Sequence, residues 1–323
     1  MKETFNFSTA RTKQLARRIA GERIDYCEIL EYGETLLVHS REGHSADNLH
    51  KVNSITKSVL SLLIGIAIGR GEFPSLDTLI TDHFIEAQDN PTLESLTVEH
   101  LLTMTPGWDW QEMGDWHGLP YPMTESTDWV RFVLSRPLVR SSGTRMVYDS
   151  GSSQVLSALL QRSTGMTAAA YAQRYLFGPL GIEQFHWPTD PQGISIGGFA
   201  LELRPRDLTR LGLLVLQRGK WNGEKIVPAE WIVESTKPRF KGYDNIGMYG
   251  YHWWALADRD SDRRVRTPLS PSVFFAVGFG GQYIFISPER ELVAVFASSL
   301  GKKKLLPLKL FREWLTDAQP RFP

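Results

Sequence analysis

Ser54 and Lys57 lie three residues apart at the head of an apolar run, in "KVNSITKSVLSLLIGIAIGRG" from Lys51 to Gly71. On a helix this spacing stacks both side chains on one face, a turn apart. Unpaired backbone N–H groups in a first turn favour an anionic oxygen and disfavour a protonated amine. Burial pushes a lysine pKa in the same direction. The pair is therefore a candidate for an activated serine nucleophile. The structural alternative is an N-capping Ser54 beside a solvated Lys57 charge.

S-x-x-K alone is weak evidence. A second copy, Ser299-Leu300-Gly301-Lys302, follows a strand and contains a glycine; without a buried helix behind it, it is discounted. Gly193-Ile194-Ser195-Ile196-Gly197 matches the G-x-S-x-G elbow. That elbow needs a strand before it and a helix after it. Here "PTDPQ" precedes and strand-like "GGFALEL" follows, so Ser195 ranks well below Ser54.

Further segments, in order, resemble the serine beta-lactamase and penicillin-recognising superfamily. They are "SITK", "LLTMTPGWDW", "MVYDSGSSQVLSALLQRSTGM", "LRPRDLTRLGLLVLQRGKWNGEKIVPAEWI" and "FFAVGFGGQYIFISPERELVAVFAS", together spanning about Val52 to Ser298. The nearest branch is that of the class C-like esterases and 6-aminohexanoate-dimer hydrolases. The resemblance implies Ser54 as nucleophile, Lys57 as the helix lysine and Tyr148 as the motif tyrosine and general base. It implies backbone N–H groups of Ser54 and Phe279 as the oxyanion hole. Ser150, Gly278, Trp110 and Trp253 are expected to contact substrate. Tyr243-Asp244-Asn245 is a literal Y-x-N in a glycine-flanked loop and ranks below Tyr148.

A tyrosine near pKa 10 is a poor base at neutral pH. A cation about 4 Å away is worth about 4 kcal/mol at an effective dielectric near 20. A protonated Lys57 would thus bring Tyr148 toward 7, where a base works best. Alternatively, neutral Lys57 takes the serine proton directly; the sequence leaves both open. No cofactor or metal is expected, since the eight histidines show no ligand spacing.

Two departures from the superfamily bear on substrate. The K-T-G position reads Ala276-Val277-Gly278, and the asparagine of Y-x-N is Ser150. Both weaken recognition of a beta-lactam, so esters or small amides are expected, with weak or no beta-lactamase activity. The alternatives are a non-catalytic penicillin-binding-protein-like binding module, or a D-amino-acid peptidase or beta-lactamase. Trp108, Trp110 and Trp116 fall in the long loop "TPGWDWQEMGDWHGLPYPMT" and are expected to wall an acyl pocket.

The elements that must position these groups follow from periodicity. "IDYCEILEYGETLLVHS" reads as a hairpin with Cys27 half-buried, and "YGYHWWALAD", "GGQYIFISP" and "ELVAVFASS" as strands. Helices are expected over Ser8–Ala20, Asn53–Gly69, several segments between Phe73 and Trp187, "RPRDLTRLGLLVLQRG", "VPAEWIVEST" and about 305–316. Strands at both ends and helices between predict an α+β fold: an antiparallel sheet flanked by helices, with an inserted all-helical domain. The expected boundaries are 1–71 plus 191–323 for the sheet domain and 72–190 for the insertion.

The chain has 323 residues, 42% hydrophobic and 22% charged, with formal net charge zero. That balance recruits neither nucleic acid nor an anionic membrane. The single Cys27 makes no internal disulfide. No secretory signal is read at the N-terminus, and the longest apolar stretch is too short for a bilayer. A cytoplasmic enzyme acting on a small ester or amide is the expectation.

Overall fold

The computed structural model describes residues 10–88, 90–115, 118, 120–256 and 272–316. The elements that matter here are α1 (Ala10–Ala20), β1 (Ile24–Glu31), β2 (Glu34–Ser40), α2 (Ile55–Gly69), α3 (Ser150–Thr164) and α4 (Pro205–Leu216). They are followed by β3 (Phe240–Lys241), β4 (Met248–Tyr249), β5 (Trp254–Ala255), β6 (Phe274–Gly278), β7 (Gln282–Ser287), β8 (Leu292–Ser298) and α5 (Leu306–Thr316).

The eight strands form one antiparallel sheet in the order β2-β1-β8-β7-β6-β5-β4-β3. The first strand of the chain therefore pairs with the last, from Ile24 opposite Ser298 to Glu31 opposite Leu292. Side chains alternate between faces along a strand. On β8, Val293, Val295 and Ala297 join the core that holds α2, α3 and α4. Leu292, Ala294 and Phe296 join the core under α1 and α5. Helices thus cover both faces of the sheet, which is why β7 and β8 are apolar at nearly every position instead of alternating with polar residues. Cys27, expected to be half-buried, is fully buried for the same reason.

α2 is buried from Ile55 to Ala67, as an all-round apolar helix must be. Of the one long strand expected over 249–258, residues 257–258 lie outside the described residues, and the rest is instead two short strands, β4 and β5, broken by a turn. Within that turn the Gly250 backbone passes so close to the carbonyls of Ser235 and Lys237 that an added Cβ would lie 2.6 Å from each. His252 there takes a left-handed φ of 60°. No helix among the described residues is long and apolar enough to cross a membrane.

Candidate active site

α2 starts at a strained corner. Asn53 adopts φ 49°, a conformation asparagine tolerates better than most residues, and its Nδ2 donates to Phe279 O at 2.7 Å. Ser54 is the capping residue, yet its side chain makes no capping bond. The hydroxyl is left for other work. Thr56 Oγ1 donates to Asn53 O at 2.6 Å and accepts from Leu201 N, tying this corner to the 197–203 segment.

Lys57 is 2% exposed. Its Nζ lies 2.6 Å from Gly198 O, 3.0 Å from Ser150 Oγ and 3.5 Å from Ser54 Oγ. Gly198 has to be glycine for this approach: a Cβ would stand 2.9 Å from Ser150 Cβ and 3.2 Å from Lys57 Nζ. Burial lowers the Lys57 pKa to about 8, against the raising influence of Glu112 and Asp149. About one amine in ten is then neutral at pH 7.

Tyr148 sits just before α3, which Asp149 caps by accepting from Ser152 N and Oγ. Its hydroxyl lies beside Ser54, and both line the same cleft. Its ring stacks on Trp254 at 6.3 Å and takes Lys57 Nζ over its face at 4.7 Å. The structure thus brings Ser54, Lys57 and Tyr148 together. It corrects the expected effect of Lys57 on the phenol. The amine faces the ring, not the hydroxyl, and burial followed by the Glu112 charge raises the Tyr148 pKa. The phenol is held protonated, not poised near 7.

Glu112 is the group that sequence reasoning missed. It is 3% exposed. Oε2 accepts from Ser150 N at 2.6 Å and from Trp110 Nε1 at 2.9 Å, and Oε1 accepts from Ser150 Oγ at 2.8 Å. The available signal was a carboxylate in an aromatic loop of functional length; its partner 38 residues on was not visible.

Four expectations for substrate contact divide. A cleft of about 300 Å³ opens in front of Ser54 and Tyr148, and Gly278 and Phe279 line it with Val277, Trp254, Tyr243, Asn245 and Lys304 among others. The end of β6 crowds the start of α2: a Cβ on Gly278 would lie 2.1 Å from Val52 O. The Phe279 backbone is thereby set beside Asn53-Ser54. Ser150 does not face the cleft. It is 2% exposed, and its one hydroxyl hydrogen goes to Glu112. Trp110 is buried behind Glu112 with its ring edge toward Phe132. Trp253 also turns into the core, beside Phe274. The neighbouring Trp254, the first residue of β5, lines the cleft instead. Trp108 is core, and Trp116 lies outside the described residues.

The other candidates resolve simply. Ser195 is fully buried; its Oγ accepts from Ala169 N at 3.1 Å and its carbonyl from Ser157 at 2.7 Å. Tyr243 and Asn245, ranked as a decoy, form one wall of the cleft. His252 packs beneath the site. Its ring nitrogens meet Leu102 O at 3.0 Å and Ser153 Oγ at 3.0 Å, and burial lowers its pKa to about 3, so it stays neutral.

Comparison with known proteins gives the family and the fold. The chain is 23% identical to the 6-aminohexanoate-dimer hydrolase of Paenarthrobacter ureafaciens, over 90% of this chain and 76% of that one. A solved structure from Bacillus anthracis, provisionally assigned as a 6-aminohexanoate-dimer hydrolase, superposes with a TM-score of 0.74 at 17% identity, covering 98% of this chain and 85% of the other. The octameric penicillin-binding protein homologue from Pyrococcus abyssi gives 0.72 at 18% identity, over 95% and 76%. These likenesses establish the fold, α+β and beta-lactamase-like. The Beta-lactamase family profile matches residues 30–309, and the chain belongs to that family of serine hydrolases.

Proposed function

We propose that the protein hydrolyses esters or small linear amides through an acyl-enzyme on Ser54, with weak or no beta-lactamase activity. The observation that carries this reading is the Ser54 hydroxyl, uncommitted to helix capping, 3.5 Å from the Lys57 amine and beside the Tyr148 phenol in one cleft.

Neutral Lys57 takes the Ser54 proton as the Ser54 oxygen bonds to the acyl carbon, whose π pair moves to the carbonyl oxygen. The oxyanion faces the N–H groups of Ser54 and Phe279; one such donor is worth about 2.7–4 kcal/mol in mutational tests elsewhere. Collapse breaks the bond to the leaving group, which takes the proton held by Lys57, directly or by relay through Tyr148, whose hydroxyl gives its own proton to the leaving group as it takes the one from Lys57. Burial disfavours a free phenolate, so in the relay Tyr148 ends protonated and the amine ends neutral. Water then attacks the acyl carbon with the neutral amine again as base, and Ser54 leaves with the proton Lys57 has taken.

One feature disfavours a beta-lactam: Ser150 has no hydrogen to offer the side-chain amide that the asparagine of Y-x-N would hold. Lys304, the one cation among the described cleft-lining residues, stands over the Phe279 ring at 5.1 Å and offers a linear substrate's carboxylate a partner away from the K-T-G position. A linear amide with a free carboxylate, of the type the Paenarthrobacter relative is named for, is therefore the first substrate to try.

Intact-mass spectrometry after mixing with short acyl esters, 6-aminohexanoate dimer and a cephalosporin tests this reading. An acyl adduct from an ester or amide, absent in Ser54→Ala and present in Ser195→Ala, is expected. Turnover that survives Ser54→Ala, or efficient cephalosporin hydrolysis, overturns it.

A further inference from the structure

Glu112 has no role in the proton transfers above, yet it is a buried carboxylate two hydrogen bonds from the reacting amine. Its three partners, Ser150 N, Trp110 Nε1 and Ser150 Oγ, all donate. An ionised carboxylate offers acceptors only, so it matches all three. Ser150 has a single hydroxyl hydrogen. With that hydrogen on Glu112 Oε1, the face of Ser150 Oγ toward Lys57 holds a lone pair. Gly198 O, the other close partner of the amine, is likewise an acceptor.

A neutral primary amine has two hydrogens and one lone pair in tetrahedral array. Both hydrogens of Lys57 are claimed by acceptors at 2.6 and 3.0 Å, and the vertex that remains faces Ser54 Oγ. We propose that Glu112 is a positioning residue: by holding the Ser150 hydroxyl hydrogen it turns the Lys57 lone pair onto the nucleophile. The inference rests on the acyl-enzyme reading of Ser54.

The charged and titratable surroundings of the amine are few. Asp149 faces it from the start of α3, and neutral His252 from the turn between β4 and β5. Tyr148 lies against it, with Tyr243 and Tyr249 beyond. Glu112 also opposes the lowering of the Lys57 pKa by burial. Removing its charge therefore moves the acid limb of activity to lower pH.

Glu112→Gln reverses the polarity of the relay. Ser150 N and Trp110 Nε1 both need an acceptor and hold the amide oxygen in place of Oε2. The amide NH2 then faces Ser150 Oγ, which accepts from it and gives its own hydrogen to Lys57. The lone pair is drawn away from Ser54.

The test is the pH dependence of Ser54 phosphonylation by a fluorophosphonate, with melting curves confirming folding. E112Q is expected to react about 100-fold more slowly, with its acid limb at lower pH than in wild type. Adding Ser150→Ala to E112Q removes the hydroxyl that captures the lone pair, and a recovery of about tenfold is expected. Ser150→Ala alone keeps the carboxylate: it should keep the wild-type limb and lose less than about tenfold, and this variant decides the matter if E112Q does not fold. A folded E112Q with wild-type rate and limb, a double variant no faster than E112Q, or a thousandfold loss in Ser150→Ala overturns the assignment. Wild-type protein that is not labelled at Ser54 defeats the acyl-enzyme reading itself, which is a separate outcome.

Discussion

The two sides of the reaction centre are built differently. On the inner side, Lys57, Ser150, Glu112 and Asp149 are all at most 3% exposed, and each polar group is matched to a partner at hydrogen-bond distance. On the outer side, Phe279 is 56% exposed, Lys304 is partly open, and the wall is made by Tyr243, Asn245 and Trp254. An interior of low dielectric makes every unpaired polar group costly, so a buried polar cluster admits little variation. A solvated wall has no such constraint. The inner side is suited to holding one amine in one orientation, and the outer side to selecting what reaches it.

If that division holds, substitutions inside should act on the rate of acylation and substitutions outside on substrate preference. The largest expected loss is at Lys57. Lys57→Met should reduce kcat/KM by about 10⁴-fold or more, and Lys57→Arg should not rescue it, because a guanidinium keeps its charge. Single-turnover acylation of a p-nitrophenyl ester checks both; a Lys57→Arg variant with more than a tenth of wild-type rate breaks the scheme. Tyr148→Phe should cost about 10²–10³-fold, within the roughly 10²–10⁴-fold range of acid–base assistance, and more for amides than for activated esters, which need no proton on the leaving group. An equal loss on both substrate types would take the proton-donor role from Tyr148.

Lys304→Ala is the sharpest probe of the outer side. KM for a carboxylate-bearing amide should rise about tenfold while kcat, and both constants for a neutral ester, stay within about twofold; steady-state kinetics on the two substrates decides. In pH profiles of kcat/KM, activity should rise with pH through about 8, because the neutral amine is the working form of Lys57. A limb near 6, or none, contradicts a neutral-lysine base.

The smallest effect is on stability. Burial raises the Asp149 pKa to about 7, so the folded state holds that proton more tightly than the unfolded chain, and this contribution is lost as pH rises from about 4 to 7. His252, lowered to about 3, does the opposite: its contribution is present above the unfolded value near 6.5 and is lost as pH falls toward 3. The two offset one another between about pH 4 and 6.5. Asp149→Asn keeps a capping side chain and removes one of them, so its melting temperature should climb with pH over that window more steeply than in wild type. Parallel melting curves would refute the buried titration.

The inner and outer sides also differed in how far the sequence revealed them. Ser54 and Lys57 were visible because three-residue spacing on a helix is a local property, and α2 announced itself by its apolar run. The antiparallel sheet with helices between its halves followed from periodicity at the two ends. Glu112 was not visible, since its meaning comes from a hydroxyl on a helix 38 residues later. Trp253 and Trp254 were interchangeable on paper, because nothing local shows that the strand starts at Trp254 and that Trp253 falls in the break before it. The break between β4 and β5 was hidden as well, because it comes from the carbonyls of Ser235 and Lys237 pressing on Gly250. Lys304 carried no signal in the sequence, since nothing local shows that its loop lies over Phe279.

The pairing of β1 with β8 has a consequence for biosynthesis. Ser54 and Lys57 are synthesised more than two hundred residues before the Phe279 backbone that lies beside them, and the sheet seating that backbone closes only when β8 reaches β1. Contacts so distant in sequence form slowly. If Ser54 acts as proposed, a nascent chain carries it in an unarmed state until β8 is in place.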